Sequence, residues 1–258
     1  MTPRPAPDTV PVTDTMPAMT PPAKAPPDQA STAKAPLLVV PAYFHPAVHP
    51  RQWQWLAEHA PRIRLVILNI ASGPGTRPQD VFLTAVDLLH AAGVCVIGYV
   101  DTGYGRRDAG VVLAEAGRYQ DWYGVRGVCF DQVAAAGEGL GYYAGVAAGA
   151  RTMGAEVVFF NHGTHPAPGY ARHADLLGTF EGTWAAYQQL RTPEWTRHWP
   201  PSKFYHVVHS VPVARIPAAW QLTARHRAGA VYITERRGPN PYDSLPEMTG
   251  NGAEMEPT

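Results

Sequence analysis

From residue 37 onward the chain alternates two hydrophobic rhythms. Short β-rich apolar runs fall at 37–44, 63–70, 94–100, 127–131, 156–161, 174–181, 204–210 and 228–235. Helix-like stretches occupy 50–60, 78–92, 108–123, 139–153, 183–191 and 216–227. In "RPQDVFLTAVDLLHAAG", Val81, Phe82, Ala85, Leu88 and Leu89 recur at helical spacing between Pro78 and Gly93, which punctuate a helix at its start and end. Runs that are apolar on both faces, separated by amphipathic helices, predict a parallel sheet covered on both sides. Eight such units in one chain of this length predict an α/β fold of the closed (β/α)8 TIM type. A doubly wound dinucleotide fold would need glycines between the first strand and its helix, where "YFHPAVHP" has none. Two irregularities are expected. Pro41 removes a ladder donor from the first strand and predicts a bulge there. The segment after residue 235 predicts an eighth helix that is short or absent.

Composition divides the chain into three parts. Residues 1–36, rich in Pro, Ala and Thr and without an aromatic residue, predict a disordered tail, since they bury too little apolar surface to offset chain entropy. Residues 37–246 form the barrel domain, and 247–258 a flexible C-terminal tail. No apolar h-region of a signal peptide is visible, and no run is long enough to span a membrane. Lys+Arg and Asp+Glu balance at 21 each, so no net field draws nucleic acid, and a monomer is expected. With 12 Tyr, 7 Trp and 11 His against only 16% charged residues, the surface suits a neutral, polar, ring-shaped ligand. Cys95 and Cys129 form no metal motif, and both are expected to be buried free thiols.

In such barrels the site lies at the C-terminal strand ends. Those ends carry Tyr43, His45, Asn69, Tyr99, Asp101, Asp131, Gln132, Asn161, Glu181, His209 and Glu235. Period-two alternation allows Tyr43, Asn69, Tyr99, Asp101, Asp131, Asn161 and Glu181 to point inward together. A mouth of carboxylates, amides and tyrosines with few cations suits a sugar better than a phosphate. Glycoside hydrolysis needs one carboxylic acid for the leaving oxygen and a second carboxylate as nucleophile or base. Asp131 and Glu181, on strands separated by one other, are the best catalytic pair, with Asp101 and Glu235 in reserve. Tyr104 would line the groove, and Trp184 is either a stacking platform for a sugar or core packing of its helix. The glycine-rich "ASGPGTRP" lacks a Lys-Ser/Thr and reads as a sharp rim turn rather than a P-loop. The pairs His45/His49, His162/His165 and His206/His209 raise a metal-dependent hydrolase or deacetylase as an alternative. None forms His-Glu-x-x-His, however, and His206 and His209 face opposite sides of a strand. No metal and no cofactor is expected.

The stretches "PAYFHP", "LNIASGPG", "GYVDTGYGRR", "WYGVRGVCFDQ", "NHGT", "TFEG" and "YITERRGPNPYDSLP" resemble, in this order, the spherulin-4 (spherulation-specific) family. The resemblance implies a (β/α)8 barrel related to glycoside hydrolases that act on galactosamine- or N-acetylgalactosamine-containing microbial exopolysaccharide, and a secreted or cell-surface location. By position it implies functional roles for Asp131, Glu181, Asp101, Thr102, Tyr104, Gly105 and Glu235. The chain departs from the family at Gln132, where Glu is usual. If that Glu were the essential acid, Gln would remove ~10²–10⁴-fold of acid–base catalysis and leave a carbohydrate-binding barrel. If Asp131 points into the barrel, alternation turns residue 132 toward the helices, and Asp131 with Glu181 suffices.

Overall fold

The computed structural model describes residues 35–238 and 240–246, so residues 1–34 of the expected N-terminal tail and the expected tail from 247 lie outside the described residues. Eight parallel strands close in sequence order: β1 (Leu37–Ala42), β2 (Ile63–Leu68), β3 (Val96–Asp101), β4 (Gly127–Asp131), β5 (Val157–Asn161), β6 (Leu176–Thr183), β7 (Phe204–His209) and β8 (Ala230–Ile233). The six expected helical stretches form α1 (Pro50–Glu58), α2 (Asp80–Ala91), α3 (Ala109–Tyr123), α4 (Leu140–Thr152), α5 (Trp184–Gln188) and α6 (Ile216–Arg225). Between β5 and β6 stands only a short 3-10 turn at Pro168–Arg172, and among the described residues no helix follows β8.

Local chemistry sets the helix limits. Asp108 caps α3 by accepting from the Gly110 and Val111 amides at 2.9 and 3.1 Å, and Gly124 ends it in the left-handed region. No helix is long and apolar enough to cross a membrane among the described residues.

Strand alternation sorts side chains between the barrel interior and the helix layer. Tyr143 of α4 packs edge-on to Phe160 at 5.6 Å, and Tyr187 of α5 to His206, which places those strand residues outside the barrel. Their neighbours Phe159 and Tyr205 meet edge-to-face at 5.5 Å inside it, where the Tyr205 hydroxyl donates to the Val39 carbonyl. Gly98 is needed for the outer layer. A Cβ there would lie 2.3 Å from the ring of buried Tyr119, so the bare backbone lets α3 seat its tyrosine on β3.

Two expectations are corrected. The β1 irregularity falls between Leu38 and Val39, not at Pro41, which pairs in register with Ile67. The register of β1 with β8 covers Leu37 and Leu38, so Pro41 lies beyond it, where a residue without an N–H is accommodated. Cys129 is buried inside β4, but Cys95 precedes β3 and is exposed.

Candidate active site

Three adjacent strands deliver the central group. Asp131 ends β4, Asn161 ends β5, and Glu181 lies on β6. The Asn161 amide nitrogen lies 2.8 Å from Asp131 Oδ1 and 3.0 Å from Glu181 Oε2, and donates to both carboxylates. The second oxygen of each carboxylate accepts from a tyrosine: Tyr99 donates to Asp131 Oδ2 at 2.8 Å, and Tyr242 to Glu181 Oε1 at 2.5 Å. All four carboxylate oxygens are therefore acceptors, the arrangement that suits two ionised groups. Gly178, in register with Asn161 on β6, makes room for the amide.

Asp131 is mostly buried, and burial pushes its pKa above the ordinary carboxylate range. The Tyr99 hydroxyl and the Gln132 backbone N–H oppose that shift, the Glu181 charge adds to it, and Asn161 opposes it. Glu181, by contrast, is solvent-exposed. Tyr43, Tyr99 and Tyr242 wall the pair: Tyr43 meets Tyr99 and Tyr242 edge-to-face at 5.6 and 5.7 Å. Burial, followed by the electrostatic influence of neighbouring groups including Asp131, holds the Tyr43 and Tyr99 hydroxyls protonated far above the usual phenol range. They are donors at every working pH.

A raised Asp131 pKa has a definite sign. The protonated form adds fold stability that is lost as pH rises through the folded pKa. Reactions that require the carboxylate fail on the acid side at a higher pH than an ordinary Asp would impose. Tyr99→Phe removes a donor to the ionised form, so the acid limb of kcat/KM should move up further, by about one pH unit. A pH–rate profile measured between pH 4 and 8 checks this, and an unmoved or lowered limb refutes it.

Gln132 lies beyond the end of β4 and departs from strand alternation. Its φ of 49° is left-handed, and the strand stops at Asp131. Its backbone is a junction. The carbonyl accepts from the Tyr104 amide and the Thr102 hydroxyl, both at 2.8 Å, and the N–H supports Asp131. Tyr104, Ser72 and Ser210 are also left-handed, in the turns that follow β3, β2 and β7, so backbone strain gathers around this mouth.

The other sequence-chosen residues occupy the periphery. Asn69 and Asp101 fold their own loops, accepting from the Gly73 amide at 3.1 Å and the Gly103 amide at 2.6 Å. Arg107 clasps Glu115 and donates to the Asp101 carbonyl, bracing the same loop. Tyr104 is 54% exposed beside Arg106. His45 is exposed, accepts from the Ala47 amide and packs against Phe82. His209 contacts Ser210, and Glu235 lies past β8 near Tyr232. Trp184 packs onto the outer cluster that contains Phe180 and Tyr187, the core alternative for that residue. The rim turn after β2 bends through left-handed Ser72 and through Gly73, whose carbonyl accepts from the Ile70 and Ala71 amides.

The buried histidines His162 and His206 serve as packed neutral groups. His206 lies between the Tyr187 and Thr179 hydroxyls at 3.0 Å each, and burial pushes its pKa well below the usual range. Burial takes His162, which faces the Ala134 carbonyl, down to about 4. Among the described residues, no group of three or more His, Cys, Asp or Glu is arranged to hold a metal.

A closed parallel barrel of eight strands, with an acidic, aromatic mouth at its C-terminal strand ends, defines a TIM-type α/β barrel. The chain belongs to spherulation-specific family 4, whose model matches residues 37–254. It is 32% identical to Spherulin-4 of Physarum polycephalum over 157 residues, 58% of this chain and 46% of that one, so the match spans less than half of that relative's length. The crystal structure of Aspergillus clavatus Sph3 in complex with GalNAc superimposes with a TM-score of 0.73 at 23% identity, covering 83% of this chain and 94% of that one.

Proposed function

We propose that this protein is a metal-independent glycoside hydrolase that cleaves a galactosamine- or N-acetylgalactosamine-containing microbial exopolysaccharide. The observation that carries the reading is the Asp131–Asn161–Glu181 bridge. Two carboxylates in a barrel mouth walled by tyrosines are the equipment that cleavage of a glycosidic bond requires. The GalNAc bound to the Aspergillus clavatus relative supports a sugar of this class.

The environments of the two acids support a division of labour. A general acid/base gives its proton to the leaving oxygen and takes one back from the attacking water, so water must reach it, which favours exposed Glu181. Its protonated form would deliver the proton to the glycosidic oxygen as the bond to the anomeric carbon breaks. Asp131 is restrained by Tyr99, Asn161 and the Gln132 amide, as suits a carboxylate that attacks or steadies the anomeric centre. Tyr43, Tyr99, Asn161 and Tyr104 would bind the substrate, with Asp101, Asn69, His45, His209 and Glu235 shaping the rim and Gln132 supporting Asp131 through its backbone.

One amide nitrogen reaching both acids limits their nearest oxygens to about 6 Å apart, which favours retention (~5–5.5 Å) over inversion (~6.5–9.5 Å). The test is release of reducing ends from a galactosaminogalactan-type polymer, with the first-formed anomer read by proton NMR. The expected result is turnover with net retention. Turnover of the deacetylated as well as the acetylated polymer would assign the attack to Asp131, since free galactosamine has no acetamido oxygen to participate. Inversion would overturn the assignment of Asp131 as nucleophile. Tight binding without turnover would establish instead a carbohydrate-binding barrel, and restored turnover in Gln132→Glu would assign that loss to residue 132. Metal-dependent activity abolished by chelators would refute the metal-free mechanism.

A further inference from the structure

The segment after β8 does something that the catalytic pair alone does not require. Beyond β8, Asn240–Pro246 packs back onto the barrel as a strap, held at several points. Arg236 pairs with Asp243 at 2.8 Å, the Tyr232 hydroxyl donates to the Ser244 carbonyl, and the Leu245 amide donates to the Gln52 side chain at 2.8 Å. Ser244 and Leu245 are buried. The Tyr242 amide donates to Asn240 Oδ1, which shapes the turn that presents its ring. That ring is wedged edge-on between Tyr43 at 5.7 Å and Tyr232 at 5.9 Å, and its hydroxyl ends on Glu181 Oε1 at 2.5 Å.

We propose that Tyr242 is a positioning residue for Glu181, delivered by the strap that follows β8. Glu181 is an exposed side chain with three rotatable bonds, and Asn161 holds only one of its oxygens. A rigid phenol anchored at both ring edges restrains the other. The carboxylate is thereby fixed in one rotamer before substrate arrives. A tyrosine hydroxyl both donates and accepts, so the same contact serves Glu181 as carboxylate and, after the O–H rotates, as acid. Burial, with the neighbouring Glu181 charge, pushes the Tyr242 pKa far above the phenol range, so the proton stays on the tyrosine.

The inference rests on Glu181 being catalytic, and the test separates the two claims. Tyr242→Phe deletes the hydroxyl and leaves the ring packing intact. In the full-length protein a short O–H···O⁻ bond gives a hydroxyl proton far downfield in the NMR spectrum. That resonance should be present in the wild type, absent in Tyr242→Phe, and moved upfield in Glu181→Gln. Kinetically, Tyr242→Phe should lower kcat by about 10–100-fold with KM within about twofold and an unchanged melting temperature. A wild-type rate in Tyr242→Phe, or a hydroxyl signal indifferent to Glu181→Gln, overturns the proposal. If the wild type cleaves no polymer, the hydrolase reading fails, and the resonance alone decides whether Tyr242 holds Glu181.

Discussion

Glu181→Gln and Asp131→Asn should each lower kcat on a galactosamine-containing polymer by ~10²–10⁴-fold, the range that one acid–base group contributes. KM should change far less, because the tyrosine walls and the outer loops survive either substitution. The two losses should differ in kind. Replacement of the acid/base leaves the step from an activated glycoside intact, so Glu181→Ala should retain activity on a substrate with a good leaving group. Added azide would then enter on the face from which water normally attacks, giving a product of retained configuration. In Asp131→Ala, azide would replace the missing carboxylate and give the inverted product. Product configuration, read by NMR, thus assigns each carboxylate without reference to rate. Wild-type hydrolysis in both amide variants would sink the site.

Gly178→Ala should reduce kcat on the order of 10²-fold although residue 178 offers no chemistry of its own. An added Cβ would lie 2.1 Å from Asn161 Oδ1, 3.0 Å from Asn161 Cγ and 3.2 Å from its Cα, so the amide must turn out of the bridge. Loss of the shared donor frees both carboxylates and lets their charges repel each other unscreened. Overpacking of this kind costs about 1–3 kcal/mol, visible as a melting temperature lower by several degrees. Asn161→Ala should reproduce the rate loss and open the space. The double variant should therefore be no slower than either single one and more stable than Gly178→Ala alone. Additive rate losses in this cycle would show that Gly178 acts elsewhere.

The eight strands and six helices were legible in the sequence because both faces of a barrel strand are buried and each helix carries one apolar stripe. Such patterns depend on near neighbours only. Asp131 and Glu181 were legible for the same reason, as acids at apolar strand ends. The Pro41 bulge was misplaced because the strain depends on how far β8 extends alongside β1. The burial expected of Cys95 failed because β3 begins one residue after it. Asn69 and Asp101 share the inward phase of Asp131, yet the loops after β2 and β3 take up their side chains in local turns. At Gln132, alternation gave no guide, because a left-handed residue ends the strand and turns the backbone, rather than the side chain, into the contact.

Tyr242 is the clearest omission. Its "PNPYDSLP" segment has no hydrophobic period and predicts no element that would aim a side chain, and the partner it finds is 61 residues away. By itself, then, the sequence determined the barrel, its strand order and the mouth at which acids collect, since periodicity and burial are properties of each segment. Only the tertiary structure decided which of those acids share one amide, which polar residues are spent on their own loops, and that the segment after β8 reaches Glu181. Those outcomes depend on strand register and on the summed reach of side chains from remote segments, and no local pattern encodes either.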